Sequence, residues 1–181
     1  MANRTAYDSA DPVAIPSSAK MVLWYLDGAA SKWTGGDLAR FRDAVKVSIT
    51  VVGSVIADIA DVENEDLTIP GAVDWIRSRG GHRATVYIGA ARIPELRAAA
   101  KGLHYDVWAA DWTGTPHPLP GCVAVQYASP AQNSGGEYDL TEVHDDNWYP
   151  SPVSWQRTAL LRAQDLATAS ADLAAIVGDH Q

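Results

Sequence analysis

Two acidic residues separated by one position, Asp61 and Glu63, are the part of this 181-residue chain best suited to chemistry. They end segment 57–64, whose apolar residues predict a short buried strand. Side chains alternate faces along a strand, so both carboxyls are expected on one face near its C-terminal end. Like charges in a partly dry site raise one pKa, and burial raises it further. The pair therefore predicts a carboxylic acid that stays protonated near neutral pH and can donate a proton.

An Asp-x-Glu pair alone fits two other roles about as well: an acidic turn at the rim of a barrel, or a cation site. The elements that surround the pair have to decide between them. Eight strands are predicted from apolar, β-branched and aromatic runs that end at Gly, Pro or acidic residues, over 7–9, 21–26, 47–52, 57–64, 84–88, 105–112, 122–127 and 137–140. Helical spacing predicts helices over 37–45, 69–79 and 94–101, and none in the later connections.

Strands that alternate with helices predict an α/β fold with a parallel sheet, and eight of them predict a closed, TIM-like barrel whose last connections have lost their helices. In such barrels the chemistry lies at the C-terminal ends of the strands. The polar candidates that fall at or near those ends are Asp8, Asp27, Asp61, Glu63, Asp111 or Trp112, Gln126 and Asp139. A doubly wound open sheet is the second interpretation, but no Gly-rich phosphate loop follows the first strand.

The composition limits the function. A hydrophobic fraction of 47% with 20% charged residues excludes a disordered chain, and no apolar run approaches the ~20 residues of a membrane span. A net charge of −8 without a basic patch argues against nucleic acid. No secretory signal is visible after Met1, so we expect another route of delivery if the protein acts outside the cell. No cofactor or metal is expected.

Residues 151–181 follow the eight predicted strands. We expect them to form a separate helical unit after a barrel domain over 1–150. Ser151 as a cap, Pro152 in the first turn and Gly178 beyond the end predict a long helix to Val177. Its apolar stripe favours a helix packed across the barrel. The other interpretation is an arm for oligomerisation or for docking to a phage structural partner.

Taken in order, these motifs resemble glycoside hydrolase family 25, the Chalaropsis-type muramidases, or a related phage or actinobacterial glycoside-hydrolase-like barrel. The resemblance covers about residues 5–148. The matching motifs are Asp8 with Ser9, Asp61 with Glu63, Trp108 with Ala110 and Trp112, Gln126 with Tyr127, and Asp139 with Leu140. The chain departs from the family in two places. Ser9 directly follows Asp8, where the family usually has residues between them. The Asp-x-Glu pair also lies nearer the N-terminus than in the family, which implies that the second to fourth strand units are shortened.

The resemblance implies a peptidoglycan-cleaving lysozyme, such as a phage endolysin or a lysin carried by a virion, which acts at the bacterial cell wall. Glu63 would be the general acid, with Asp61 ionised beside it and Asp8 and Asp139 completing a ring of carboxylates. Substrate contacts would come from Asp27, Tyr87, Trp108, Trp112, Gln126 and Tyr127. Trp112, at a strand end, is the strongest candidate for a surface that stacks on sugar rings.

Three other functions remain open from the sequence. A metal-dependent phosphodiesterase barrel also gathers acids at strand ends, although none of the histidines here has a recognisable ligand spacing. A binding module would hold cell-wall glycan without cutting it. A structural phage or surface protein would use the barrel as a scaffold.

Overall fold

A computed structural model describes residues 4–30, 33–63, 66–133 and 135–149, and within them eight strands close into one barrel in chain order. The predicted barrel is confirmed. Its strands are β1 (Arg4–Asp8), β2 (Met21–Tyr25), β3 (Val45–Thr50), β4 (Ile59–Val62), β5 (Thr85–Gly89), β6 (Asp106–Ala110), β7 (Ala124–Ala128) and β8 (Asp139–Val143). The described helices are α1 (Gly35–Arg40), α2 (Ile69–Ser78) and α3 (Ile93–Ala99), which directly follows a 3-10 turn over Ala90–Arg92.

The last strand departs from the parallel arrangement that the sequence predicts. β8 runs antiparallel to both of its neighbours, β7 and β1. A parallel connection needs a long crossover, usually with a helix, and no helix is present in the described part of the link between β7 and β8. Asp139 therefore begins its strand rather than ending it, and its register partner on β1 is Asp8. The reversal keeps Asp139 at the same end of the barrel as the other acids.

The helices follow the sequence signals closely, with one shorter than predicted. Thr68 caps α2 by accepting a hydrogen bond from the Gly71 amide, and the apolar face of α2 packs against β4 and β5. α1 ends at Arg40, not at 45 as predicted. Phe41 leaves the helical conformation and is buried beside Trp33, while Val45 already pairs with Met21 as the first residue of β3.

The end of the barrel opposite the acids is closed by the segment that follows β8. Trp148 is fully buried in the barrel interior, and its indole Nε1 donates to Thr85 Oγ1 over 3.0 Å. The Arg4 guanidinium donates to the carbonyls of Trp148 and Tyr149. The open mouth is therefore the end at which β1 to β7 finish.

No helix in the described ranges is long and apolar enough to cross a membrane. The predicted C-terminal helix over 151–181 lies outside the described residues.

Candidate active site

Carboxyl groups from four segments meet at the mouth of the barrel. Asp8 ends β1, Asp61 lies on β4 and Asp139 begins β8, while Glu63 directly follows β4. Asp8 and Asp61 are each only 2% exposed, Asp139 is half-buried and Glu63 is exposed. Strand alternation puts Asp61 inside the barrel, because its neighbours Ala60 and Val62 pack outward against the helices. The mouth thus combines shielded acids with one acid open to solvent.

A chain of hydrogen bonds runs across the floor of this mouth. The Tyr87 hydroxyl donates to Gln126 Oε1, and Gln126 Nε2 donates to Asp8 Oδ1 over 3.0 Å. A further side-chain hydrogen bond joins Asp8 to Asp139, in which protonated Asp8 donates. The chain fixes the orientation of Asp8, and it uses both ends of the Gln126 amide.

Burial and mutual repulsion place a proton within this acid pair. Desolvation, followed by the charge of Asp139, raises the pKa of Asp8 well above its usual range. Desolvation also raises the pKa of Asp139, to about 6, although the hydrogen bond from Asp8 opposes that rise. At neutral pH the pair therefore carries one proton, on Asp8, and one negative charge, on Asp139.

The Asp61 side chain differs from the sequence expectation. Desolvation, followed by the charges of Glu63 and Asp66, raises the pKa of Asp61 to about 8, whereas the sequence led us to expect that this carboxyl stays ionised. Among the described residues, nothing hydrogen-bonds to the buried Asp61 Oδ1. At neutral pH the buried member of the Asp-x-Glu pair thus holds a proton, and the exposed member is the one that a ligand can reach.

Tyr25 is a site residue that the sequence analysis missed. It ends β2, and desolvation, followed by the charges of Asp8 and Asp61, raises the pKa of its hydroxyl well above the usual range. Alternation along β2 offered a signal, since Met21 and Leu23 belong to the barrel interior and Tyr25 is the next residue on that face.

The predicted aromatic contacts separate into exposed and buried groups. Trp112 is 42% exposed just beyond the end of β6, and its carbonyl accepts a hydrogen bond from the Gln132 amide. Trp108 is 1% exposed and packs on Tyr87 with ring centroids 4.3 Å apart, so its ring offers no open face. Tyr127 follows Gln126 on the opposite face of β7, away from the mouth. Burial, followed by the charges of Glu142, Tyr7 and Tyr138, raises the pKa of its hydroxyl.

Asp27 and Asp111 serve local structure. Asp27 accepts hydrogen bonds from Thr50 Oγ1 over 2.6 Å and from the Val51 amide over 2.8 Å, which ties the end of β2 to the end of β3. Asp111 lies 3.0 Å from His117 Nε2 in the loop after β6. Both carboxylates are thereby occupied with protein partners.

One group of acids has the geometry to share a metal ion. Asp61, Glu63 and Asp66 each offer a carboxylate oxygen, and these atoms all lie within 4.8 Å of one another. Carboxylate oxygens are ligands for hard divalent cations.

Comparison with solved structures supports the barrel. The chain is similar to the catalytic domain of endolysin ply40 from bacteriophage P40 of Listeria monocytogenes, with a TM-score of 0.53 and 10% sequence identity. The match covers 81% of this chain and 96% of the endolysin domain. No family model and no curated protein matches the sequence. At this identity the likeness concerns the fold alone.

Proposed function

We propose that this protein is a peptidoglycan-cleaving glycoside hydrolase of the lysozyme type. The observation that carries the proposal is the set of four carboxyls at the open end of the barrel, of which Asp8 and Asp61 are buried, Asp139 is half-buried and Glu63 is exposed. Glycoside hydrolysis needs this combination: an acid that protonates the leaving oxygen, and negative charge near the cationic sugar. The fold it shares with a phage endolysin catalytic domain is consistent with this function.

Glu63 is the proposed general acid, because it is the member of the set that a polymer can reach. In its protonated form it gives its proton to the glycosidic oxygen as the bond from that oxygen to the sugar C1 breaks. The ionised carboxylate of Asp139 stabilises the positive charge that develops on the sugar. A water molecule then adds its oxygen to C1, and its released proton returns to the carboxylate of Glu63.

Asp61 is the proposed store for the proton that Glu63 transfers. A carboxylate oxygen of each side chain lies within 4.8 Å of the other, so a proton can pass from Asp61 to Glu63 through one bridging water molecule. Substrate that covers Glu63 displaces bulk water from this side chain, and the proton that Glu63 gives to the glycosidic oxygen then comes from Asp61.

Other mouth residues take positioning or binding roles in this proposal. Gln126 orients Asp8 rather than binding substrate, since Tyr87 and Asp8 occupy its amide. Trp112 is the exposed ring on which a sugar stacks. Trp108 supports the floor from within the core. The protein acts at the bacterial cell wall, after release or as part of a virion, and residues 151–181 either cover the barrel or mediate association.

A zymogram on purified peptidoglycan, run with and without EDTA, tests the proposal. We expect clearing by the wild type in both conditions and none by Glu63→Gln, because the amide keeps the shape and loses the transferable proton. Glu95→Gln is the matched control, since Glu95 is an exposed residue of α3 paired with Arg92.

Each alternative function predicts a different pattern. Clearing that disappears with EDTA and returns with Mg²⁺ or Mn²⁺ favours a metal-dependent phosphodiesterase. Retention of the protein by peptidoglycan without clearing favours a glycan-binding module. A protein that is neither retained by peptidoglycan nor able to clear it would favour a structural scaffold.

A further inference from the structure

We propose that Asp61, Glu63 and Asp66 form a binding site for a hard divalent cation of about the size of Ca²⁺, and that the bound ion inhibits the hydrolase. The binding part stands independently of the proposed function, whereas the inhibition rests on it. The geometry of the three carboxylates and an unpartnered buried oxygen carry the inference.

The spacing of the three carboxylates fits a shared ion. Two ligands of one ion lie at most twice the metal–oxygen distance apart, which is about 4.6–5.2 Å for Ca²⁺ and about 4.0–4.2 Å for Mg²⁺. The ligand atoms of Asp61, Glu63 and Asp66 lie within 4.8 Å of one another. The 4.8 Å bound therefore falls within the limit for Ca²⁺, whereas it exceeds the shorter limit for Mg²⁺.

A second observation points to a missing positive partner. Asp61 is 2% exposed, and its Oδ1 is a buried oxygen to which no described residue hydrogen-bonds. The ion pairs within the described ranges include neither Asp61 nor Glu63. A buried carboxylate without a partner is costly, and either a proton or a cation relieves that cost. The three carboxylates together offer a dication three negative charges.

Occupation of the site has a direct consequence for the proposed chemistry. The bound ion engages the oxygens of Glu63 that would face the glycosidic bond. A carboxylate that binds an ion carries no proton, so the metal-bound Glu63 cannot act as a general acid.

Calorimetric titration of the EDTA-treated, dialysed full chain with CaCl₂ tests the binding. We expect one saturable site with a Kd of about 0.1–1 mM, the range of extracellular calcium-binding modules. Asp66→Asn should weaken binding by about tenfold or more, because it removes one charged ligand. Asp74→Asn, an exposed residue of α2 with 78% of its side chain accessible, should leave it unchanged. Absence of saturable binding up to ~10 mM, or equal binding by Asp66→Asn, would overturn the site.

Peptidoglycan lysis at increasing Ca²⁺ tests the inhibition. At about ten times the Kd the ion occupies ~90% of the sites, so the wild-type rate should fall about tenfold. Asp66→Asn should lose the inhibition, so that its rate in saturating Ca²⁺ equals its own rate in EDTA, and its far-UV circular dichroism shows whether it folds. A Ca²⁺-saturated wild type that lyses at full rate, or one that is activated, overturns the inhibitory role. A chain that binds Ca²⁺ but never lyses peptidoglycan supports the site and contradicts the proposed function.

Discussion

Replacement of Asp61 by Asn should change how the stability of the barrel depends on pH. Burial raises the pKa of Asp61 from its ordinary value of 3.8 to about 8 in the folded protein. Between these values the unfolded chain releases the Asp61 proton and the folded chain keeps it. Stability from this group is therefore fully present below the unfolded pKa and is lost as pH rises toward 8.

The magnitude follows from the difference between the two pKa values. The two pKa values differ by about four, and a pKa difference of one corresponds to about 1.36 kcal/mol. The loss of folding free energy is therefore at most ~6 kcal/mol. Water that enters the mouth with the ionised carboxylate reduces this loss, so we expect about 2–4 kcal/mol. Asp61→Asn cannot ionise and should escape the loss. It should be close to the wild type at pH 4 and more stable by about 2–4 kcal/mol at pH 9.

Urea denaturation in EDTA, followed by tryptophan fluorescence at unit steps from pH 4 to 9, measures this difference. Asp8 and Asp139 also titrate in the folded protein, but they are present in both the wild type and Asp61→Asn. The difference in unfolding free energy between the two proteins therefore isolates Asp61. Asp74→Asn, whose carboxylate is exposed, provides the control for the loss of one carboxyl at the surface. An Asp61→Asn difference that does not change with pH would refute the burial of an uncompensated acid at this position.

Three other perturbations test separate parts of the account. Trp112→Ala should raise KM on peptidoglycan several-fold with little change in kcat, and Trp112→Phe should restore part of the loss; a lowered kcat with unchanged KM would contradict a stacking role. Gln126→Leu should lower the free energy of unfolding by about 1–3 kcal/mol and slow lysis, because it leaves the Tyr87 hydroxyl and Asp8 without their hydrogen-bond partner. Urea denaturation measures the loss of stability, and a lysis assay measures the change in rate. Deletion of residues 151–181 should cause aggregation, measured by light scattering, if that segment covers the barrel. If the full chain is an oligomer and the truncated chain is a soluble monomer, the segment is an association arm. A truncated chain that is as stable, monomeric and active as a monomeric full chain would contradict both roles.

The sequence predicted the barrel because its signals are local. Apolar runs that end at Gly, Pro or acidic residues, and the helical spacing of apolar residues, act within a few positions, and the elements they define close into a barrel in chain order. The direction of β8 could not be read in the same way. It depends on whether the link after β7 can cross the barrel, which is a property of the connection and not of the residues in the strand.

The gathering of four carboxyls at one end of the barrel was predictable from the sequence, but their protonation was not. Asp8, Asp61, Glu63 and Asp139 fall at strand ends, and topology alone brings them to one mouth. Which acid holds a proton depends on burial, and burial is set by how far each side chain lies inside the closed barrel. Asp61 precedes Glu63 by two positions and so lies one step deeper in the barrel, where burial raises the pKa of its carboxyl to about 8.

The aromatic residues show the same limit. Trp108 and Trp112 both belong to the run after residue 105, and their spacing does not distinguish a core ring from an exposed one. What separates them is the end of β6 at Ala110. Trp108 lies within the strand and is enclosed by Tyr87 and Trp148, whereas Trp112 lies beyond the end of the strand.

The most direct test of the central claim is the chemistry of the products released from purified peptidoglycan. Cleavage of the glycan creates new reducing-end sugars, which borohydride reduction and mass spectrometry identify, whereas cleavage of the peptide creates new free amines. We predict that wild-type protein in EDTA releases reducing ends steadily and that Glu63→Gln releases none above background while Glu95→Gln matches the wild type. Products with new amines and no reducing ends, or equal release of reducing ends by Glu63→Gln, would contradict the account.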